Sequence, residues 1–262
     1  MMNEKPTPYA DVNAMLAKLV TEIKAILGEH IVGIYLDGSL ANGDFDAASD
    51  IDFMVVTDEK ISDAQFATLH AVHARLNAGE SPWATQLEGS YLSRHAVRRH
   101  DAADALHPNI ERGLGEQLKW AQHDAGWMVH RSILRERGIV IEGPAPHTLI
   151  DPVSPDDLRI AMREVLNGWG AQLLAEPHWL NGVYQTYVVL TLCRILYTLD
   201  TGAVASKHVA VDWAKHALGP TWQPLIERAW LVRENSGASA SPEDVSRTQD
   251  LIRLVMDWQS QI

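Results

Sequence analysis

The chain has a single cysteine, Cys193, among 262 residues. That excludes an internal disulfide framework and a cysteine-rich zinc site. No apolar run approaches the roughly 18 residues that a membrane span requires. Residues Met1 to Pro8 are polar and lack the apolar core of a secretion signal. Positive charge is scarce too. The 22 Lys and Arg stand against 34 Asp and Glu, a formal net charge of −12. This balance argues against a general nucleic-acid binder, which needs a basic stripe. It suits a cationic small substrate drawn to an acidic cleft. The expectation is a soluble cytoplasmic protein, a monomer or weak dimer, with no membrane or nucleic-acid partner.

What is present is an ordinary globular composition with 46% hydrophobic residues, which excludes wholesale disorder. A chain of this length buries roughly 70–75% of its unfolded surface, so one large domain or two modest ones can fold without staples.

Leu16, Leu19, Val20, Ile23 and Leu27 recur at helical spacing and predict a helix over 9–28, ended by Gly28. The β-branched run Ile31 to Leu36 predicts a buried strand. A Gly/Asn/Asp-rich loop over 37–49 follows, then a second strand over 51–56. Ser62 and Gln65 have the form of a capping box for a helix reaching Asn77. A third strand is expected at 84–92, and a solvated, locally basic, irregular stretch at 93–115. A helix is expected over 126–137. Gly143-Pro144-Ala145-Pro146 is the clearest punctuation in the chain, and the boundary is placed near 143–153. Beyond it, Ser154-Pro155-Asp156-Asp157 starts a helical stripe that runs to Leu173. Helices are also expected at 181–200, 206–217 and 222–235. Ser241-Pro242-Glu243-Asp244 caps a last one. The second half therefore reads as an all-α bundle of about five helices.

The chemistry is concentrated in the segment from Leu36 to Phe53. Gly38-Ser39 follows a buried strand and begins a short helical turn. Glycine there lets backbone N–H groups approach a ligand, and the Ser39 hydroxyl adds a hydrogen bond, an arrangement that attracts phosphate. Asp50 and Asp52 lie two apart at the start of the second strand, so both carboxylates share one face. Side by side they repel, unless a hard cation sits between them. Mg²⁺ prefers one or two carboxylates together with phosphate oxygens and water. A phosphate cradle some ten residues before an Asp-x-Asp pair outlines a Mg-nucleotide site. Apolar Ile51 between the acids, and Phe53 to Val56 after them, argue against a solvated surface turn.

These motifs resemble the polymerase-β type of nucleotidyltransferase, with Gly-Ser, then Asp-x-Asp, then a third acid on a later strand. The whole chain is similar to the bacterial aminoglycoside adenylyltransferases of the streptomycin/spectinomycin type. A second match carries that closer likeness: Leu190-Thr191-Leu192-Cys193-Arg194, Thr201-Gly202, Ser206-Lys207-His208-Val209 and Trp213. The resemblance implies an α+β fold. Its nucleotidyltransferase domain, a mixed sheet with flanking helices, would span residues 1–148. A helical clamping domain would span 149–262. It implies ATP as co-substrate and two Mg²⁺ ions. Asp50 and Asp52 would bind the metal, with Glu88 alongside them as metal ligand and general base. Gly38, Ser39 and Ser49 would contact the phosphates. Arg194 and Lys207 would clamp the triphosphate. Asp124 and Trp230 fall near nucleotide-contacting positions. The acceptor would be a hydroxyl of a small, cationic molecule of the aminoglycoside type.

The chain departs from that pattern at three places. Asp37 stands where an aromatic or apolar residue precedes Gly-Ser. Gly115-Glu116-Gln117-Leu118 replaces a Gly-Glu-Trp-Leu segment. Leu180 to Gln185 contains no acid where the drug-modifying members carry an acidic stretch. A different aminoglycoside or an unrelated hydroxyl compound stays open as acceptor. Two other readings stay open as well. One is an enzyme modifying a protein or RNA partner, of the antitoxin-like kind. The other is a non-catalytic nucleotide-binding regulator. For Arg194, with apolar neighbours, an anionic partner is required, and a structural carboxylate would serve as well as a phosphate. His70 and His73 read as a solvated helix face rather than a metal site. Cys193 and most of the nine tryptophans read as core.

Overall fold

A computed structural model describes residues 5–234 and 241–259, apart from the side chains of Val183 and Glu234. The chain divides into two compact units, Met1–Pro152 and Val153–Ile262. The fold class is α+β.

The first unit is built on a six-stranded mixed sheet. Its strands are β1 (Ile31–Leu36), β2 (Ile51–Thr57), β3 (Leu87–Ser93), β4 (Leu106–Ile110), β5 (Lys119–Gln122) and β6 (Ile139–Glu142). Their spatial order is β5-β4-β3-β2-β1-β6. Only β2 and β3 run parallel; the other neighbours are antiparallel. A parallel pair needs a crossover, and the crossover here carries α3 (Asp63–Asn77), capped by the expected Ser62–Gln65 box. That cap is worth about 1 kcal/mol. The helix α1 (Ala10–Leu27) buries Leu16, Leu19, Ile23 and Leu27 as its spacing predicts.

Alternation along β2 sends its two sets of side chains to opposite faces. Ile51, Phe53 and Val55 join α1 and α3 in one core. Met54 and Val56 join Tyr35, Leu92 and Leu134 in a second core, on the side of α5 (Trp127–Arg137). Asp52 falls in this second set.

Some expectations need correction. The third strand begins at Leu87, because residues 81–85 form a turn in which the Ala84 N–H bonds the Ser81 carbonyl. The stretch 93–115 is not irregular. It contains α4 (Arg94–Arg98), capped by Ser93, and the whole of β4. His73 is not on a solvated face. It is 1% exposed, stacks on Phe53 and shares a 2.7 Å hydrogen bond with the Tyr91 hydroxyl.

The second unit contains α6 (Pro155–Val165), α7 (Ala171–Ala175), α8 (Gly182–Thr201), α9 (Lys207–Leu218), α10 (Gln223–Glu234) and α11 (Pro242–Gln259). A π-helical turn, Leu166–Gly170, joins α6 to α7, so the expected single stripe is one rod with a widened turn. Ser154 with Asp157 forms a full capping box at α6. Ser241 and Asp244 exchange the same bonds at α11. The central rod is α8. Val188, Val189, Leu192, Cys193, Leu196 and Leu199 are buried on several of its sides, and α6, α9, α10 and α11 all pack on it. A helix that is apolar nearly all round is an interior helix. Burial pushes the Cys193 thiol up to about 12, so it behaves as a small hydrophobe.

Burial holds His73 neutral, with its pKa pushed down to about 4. The unfolded chain takes up a proton at this histidine near pH 6.5 while the folded chain refuses it, so the unfolded state binds more protons. The stability that His73 confers is complete above about pH 6.5 and is lost as pH falls towards 4. In urea melts at pH 7 and pH 4.5, His73→Gln should show a smaller acid-induced drop in midpoint than the wild type. An equal drop would show that His73 is not a source of the acid lability.

Candidate active site

The site is assembled at the ends of β1, β2 and β3. After β1 the chain makes a short helix, α2 (Gly38–Asn42). Gly38 has φ +56°, a left-handed conformation that glycine adopts without steric cost. Space makes the same demand. A Cβ on Gly38 would lie 1.8 Å from Asp52 Oδ2. The backbone of the turn thus rests directly against the Asp52 carboxylate, and the Asp37 N–H bonds the Asp52 carbonyl at 3.2 Å.

In the parallel ladder Asp52 is the register partner of Glu88. The two acids, 36 positions apart in sequence, are therefore lateral neighbours on the α5 side of the sheet. Asp50 precedes β2 with the same parity as Asp52. Its carboxylate lies 3.5 Å from Arg112 Nη1, and the same nitrogen donates to the Ala48 carbonyl at 3.2 Å. Arg112 carried no motif that could single it out in the sequence.

The Ser39 hydroxyl is shut off from solvent and has no hydrogen-bond partner among the described residues. A buried hydroxyl left unpaired costs about 1–3 kcal/mol, and a phosphate oxygen would satisfy it. Ser49 differs. Its hydroxyl donates to Asp46 Oδ1 at 3.0 Å and accepts from the Asp46 N–H at 3.0 Å, so it shapes the loop that delivers Asp50. Asp124 accepts from the Gly126 N–H at 2.8 Å and shapes the entry to α5.

The donor set fits a phosphate-bearing ligand accompanied by Mg²⁺. It offers an unpaired hydroxyl, a side-chain-free turn and adjacent carboxylates, which is the hard oxygen chemistry that Mg²⁺ accepts. Among the described residues, no three His, Cys, Asp or Glu side chains converge into a ready metal cluster. Asp52 and Glu88 are the adjacent pair, and Asp50 is turned to Arg112. A metal held here would complete its shell with ligand oxygens and water.

Two further predicted residues belong to the second unit. Arg194 lies on α8, half-buried among apolar side chains. Among the described side chains of its own unit no carboxylate pairs with it. Lys207 is the first residue of α9, after the Ser206 cap. A lysine beside the positive pole of a helix is unfavourable unless an anion is expected. Trp230 packs edge-on against His208, and the Arg233 guanidinium lies over its ring.

A buried cluster that the sequence reading missed stands behind the site. Asn109 donates to the Ser90 hydroxyl at 2.8 Å, and Ser90 contacts His123 Nε2 at 3.2 Å. His123 stacks flat on Trp127, and burial pushes its pKa down to about 2. Arg131 is 2% exposed and donates to the Ala96 carbonyl at 2.7 Å; burial pulls it down to about 10. The local signal was a pattern of polar residues at inward-facing positions, which looks like loop until β4 and β5 are known.

Gly38→Ala puts a methyl group where the Asp52 carboxylate is and forces a positive φ on a side-chain-bearing residue. The variant should lose at least 1–3 kcal/mol of stability and most of its affinity for ATP, read by thermal melts and calorimetry. Wild-type binding in Gly38→Ala would show that this contact does not shape the site.

Comparison with known proteins supplies the family. Residues 21–80 match the polymerase beta nucleotidyltransferase model, and residues 148–257 match the aminoglycoside adenylyltransferase C-terminal domain. An aminoglycoside (3'') (9) adenylyltransferase of Shigella flexneri is 28% identical, covering 89% of this chain and 91% of its own length. One from Escherichia coli is 29% identical over 86% and 87%. A spectinomycin 9-adenylyltransferase of Staphylococcus aureus is 26% identical over 73% and 74%. Among solved structures, spectinomycin adenyltransferase from Enterococcus faecialis, crystallised with ATP and spectinomycin, shares the fold. Its TM-score is 0.71 at 18% identity, covering 94% of this chain and 98% of that one. The chain thus carries, in order, a polymerase beta nucleotidyltransferase domain and an aminoglycoside adenylyltransferase C-terminal domain, and over most of its length it is similar to the aminoglycoside adenylyltransferases.

Proposed function

We propose that this enzyme transfers AMP from ATP to a hydroxyl of a small molecule of the aminoglycoside type and releases pyrophosphate. The observation that carries the reading is the register of Asp52 with Glu88 beside the Gly38-Ser39 turn. One carboxylate against the backbone of that turn and a second beside it support a phosphate seat next to a base for the incoming hydroxyl.

The reaction is an in-line displacement at the α-phosphorus. The acceptor oxygen forms a bond to phosphorus, and the bond from phosphorus to the bridging oxygen of pyrophosphate breaks. Glu88 takes the acceptor proton, which suits a carboxylate within reach of the attacking hydroxyl. Ser39 donates to a phosphate oxygen. Asp52, with Asp50 held by Arg112, supplies the negative charge that retains Mg²⁺. The metal, when bound, offsets charge on the phosphates and on the leaving pyrophosphate. Arg194 and Lys207 act on the triphosphate as fixed positive charges. The enzyme works in the cytoplasm, where ATP is available.

The acceptor class is supported by relatives named for aminoglycosides and spectinomycin. The local structure points to a different grip on it. Gln185 is buried and donates to Thr248 at 2.7 Å, so it faces the core. Trp169, Tyr184 and Tyr187 form an aromatic group in the same region, with the Trp169 indole N–H on the Tyr184 hydroxyl at 3.0 Å. Recognition there relies on ring faces more than on carboxylates.

Pyrophosphate release from Mg-ATP, measured across aminoglycosides and spectinomycin, tests the reading. Release should depend on one acceptor and vanish in Asp50→Asn. Glu88→Gln should lower turnover by about 10²–10⁴-fold, the usual worth of a general base, while ATP still binds. Unchanged turnover would remove Glu88 as the base. ATP binding without release for any drug would redirect the search to other hydroxyl acceptors or to a protein or RNA partner. Failure to bind ATP would overturn the nucleotide site.

A further inference from the structure

Asp37 is the residue immediately before the phosphate-seating turn, and it is 3% exposed. A buried carboxylate at that place works against an anionic ligand. It does not cap α2, whose N-cap it occupies without a side-chain bond. Among the described residues its one side-chain partner is His130, on α5, at 3.1 Å from Nδ1 to Oδ2. A carboxylate only accepts, so Nδ1 carries the proton and donates. His130 is itself held by stacking on Trp127, with ring centroids 4.6 Å apart. The same helix reaches the far end of α2, where Arg137 donates to the Asn42 side-chain oxygen at 2.7 Å. The helix α5 thus holds α2 at both ends, and at the nucleotide end the handle is an acid.

We propose that His130 is a positioning residue for nucleotide binding, which draws the Asp37 carboxylate toward α5 and screens it from the phosphates seated at Gly38-Ser39. The inference rests on the adenylyl-transfer reading of the same site. It assigns the unusual acid before Gly-Ser a partner and explains why the chain tolerates it. Removing His130 leaves Asp37 as an unscreened negative charge beside the turn. Removing both leaves a turn with no such charge.

Calorimetric titration of Mg-ATP into four proteins tests this. His130→Ala should weaken ATP binding about tenfold or more, the order expected for losing a hydrogen bond to a charged group. The double variant Asp37→Asn with His130→Ala should recover to within about threefold of wild type, a rescue that simple loss of packing would not give. His130→Asn keeps an N–H donor near the Nδ1 position and should retain most of the affinity. His130 is 36% exposed at its side chain, so melting temperatures should stay close to wild type. Wild-type affinity in His130→Ala, or a double variant no better than His130→Ala, would overturn the proposal alone. A wild-type protein that does not bind Mg-ATP would overturn the nucleotide reading and this inference with it.

Discussion

The Asp52 carboxylate occupies the space that any side chain at position 38 would need. From that exclusion the rest of the site follows. The chain leaving β1 must turn with a bare backbone, its φ must be positive, and the turn must sit on the acid rather than beside it. The Ser39 hydroxyl is then carried inside without a partner among the described residues. The neighbouring strand brings Glu88 level with Asp52. A protein seldom buries an unpaired hydroxyl next to acids for stability, since each such group opposes folding. Their concentration at one end of one sheet is the mark of a surface shaped for a ligand.

The chain manages this excess of negative charge with few cations. Arg112 takes Asp50 and His130 takes Asp37, while Asp52 and Glu88 are aligned across the ladder. The second unit carries two cations of its own that bear on the proposal. Arg194 sits among the apolar side chains of α8, and Lys207 opens α9. A half-buried guanidinium is costly to keep without an anionic partner.

Much of this was legible in the sequence, and the limits have physical causes. The strands β1 and β2 carry dense β-branched runs, and the capping boxes at Ser62 and Ser154 are local signals, so those elements stand where their residues predict. The Gly-Ser and Asp-x-Asp motifs are local as well. Strands β4 and β5 were missed because they are short and contain Pro108 and Lys119, which are poor strand formers, and β6 because its apolar run is only four residues long. Their stability comes from pairing to a sheet already in place. His73 was misread because its polar ring is satisfied by Tyr91, a partner 18 positions away. Arg112 and His130 were invisible for the same reason. Each acts through a residue that only the folded sheet brings near.

The one parallel pair in the sheet gives the enzyme a particular folding history. Tyr35 can meet Met54 early, because the β1–β2 connection is shorter than the crossover between β2 and β3. Asp52 and Glu88 meet only after the chain has run out through α3 and returned, a closure that costs entropy before any contact repays it. Like charges brought together by that closure oppose it further. The acid pair is thus among the last features to form, and an opening of the α3 crossover would separate the two acids while leaving the β1–β2 hairpin intact. Activity in this fold is a late reporter of native structure, and it would fail under stress before most of the secondary structure does.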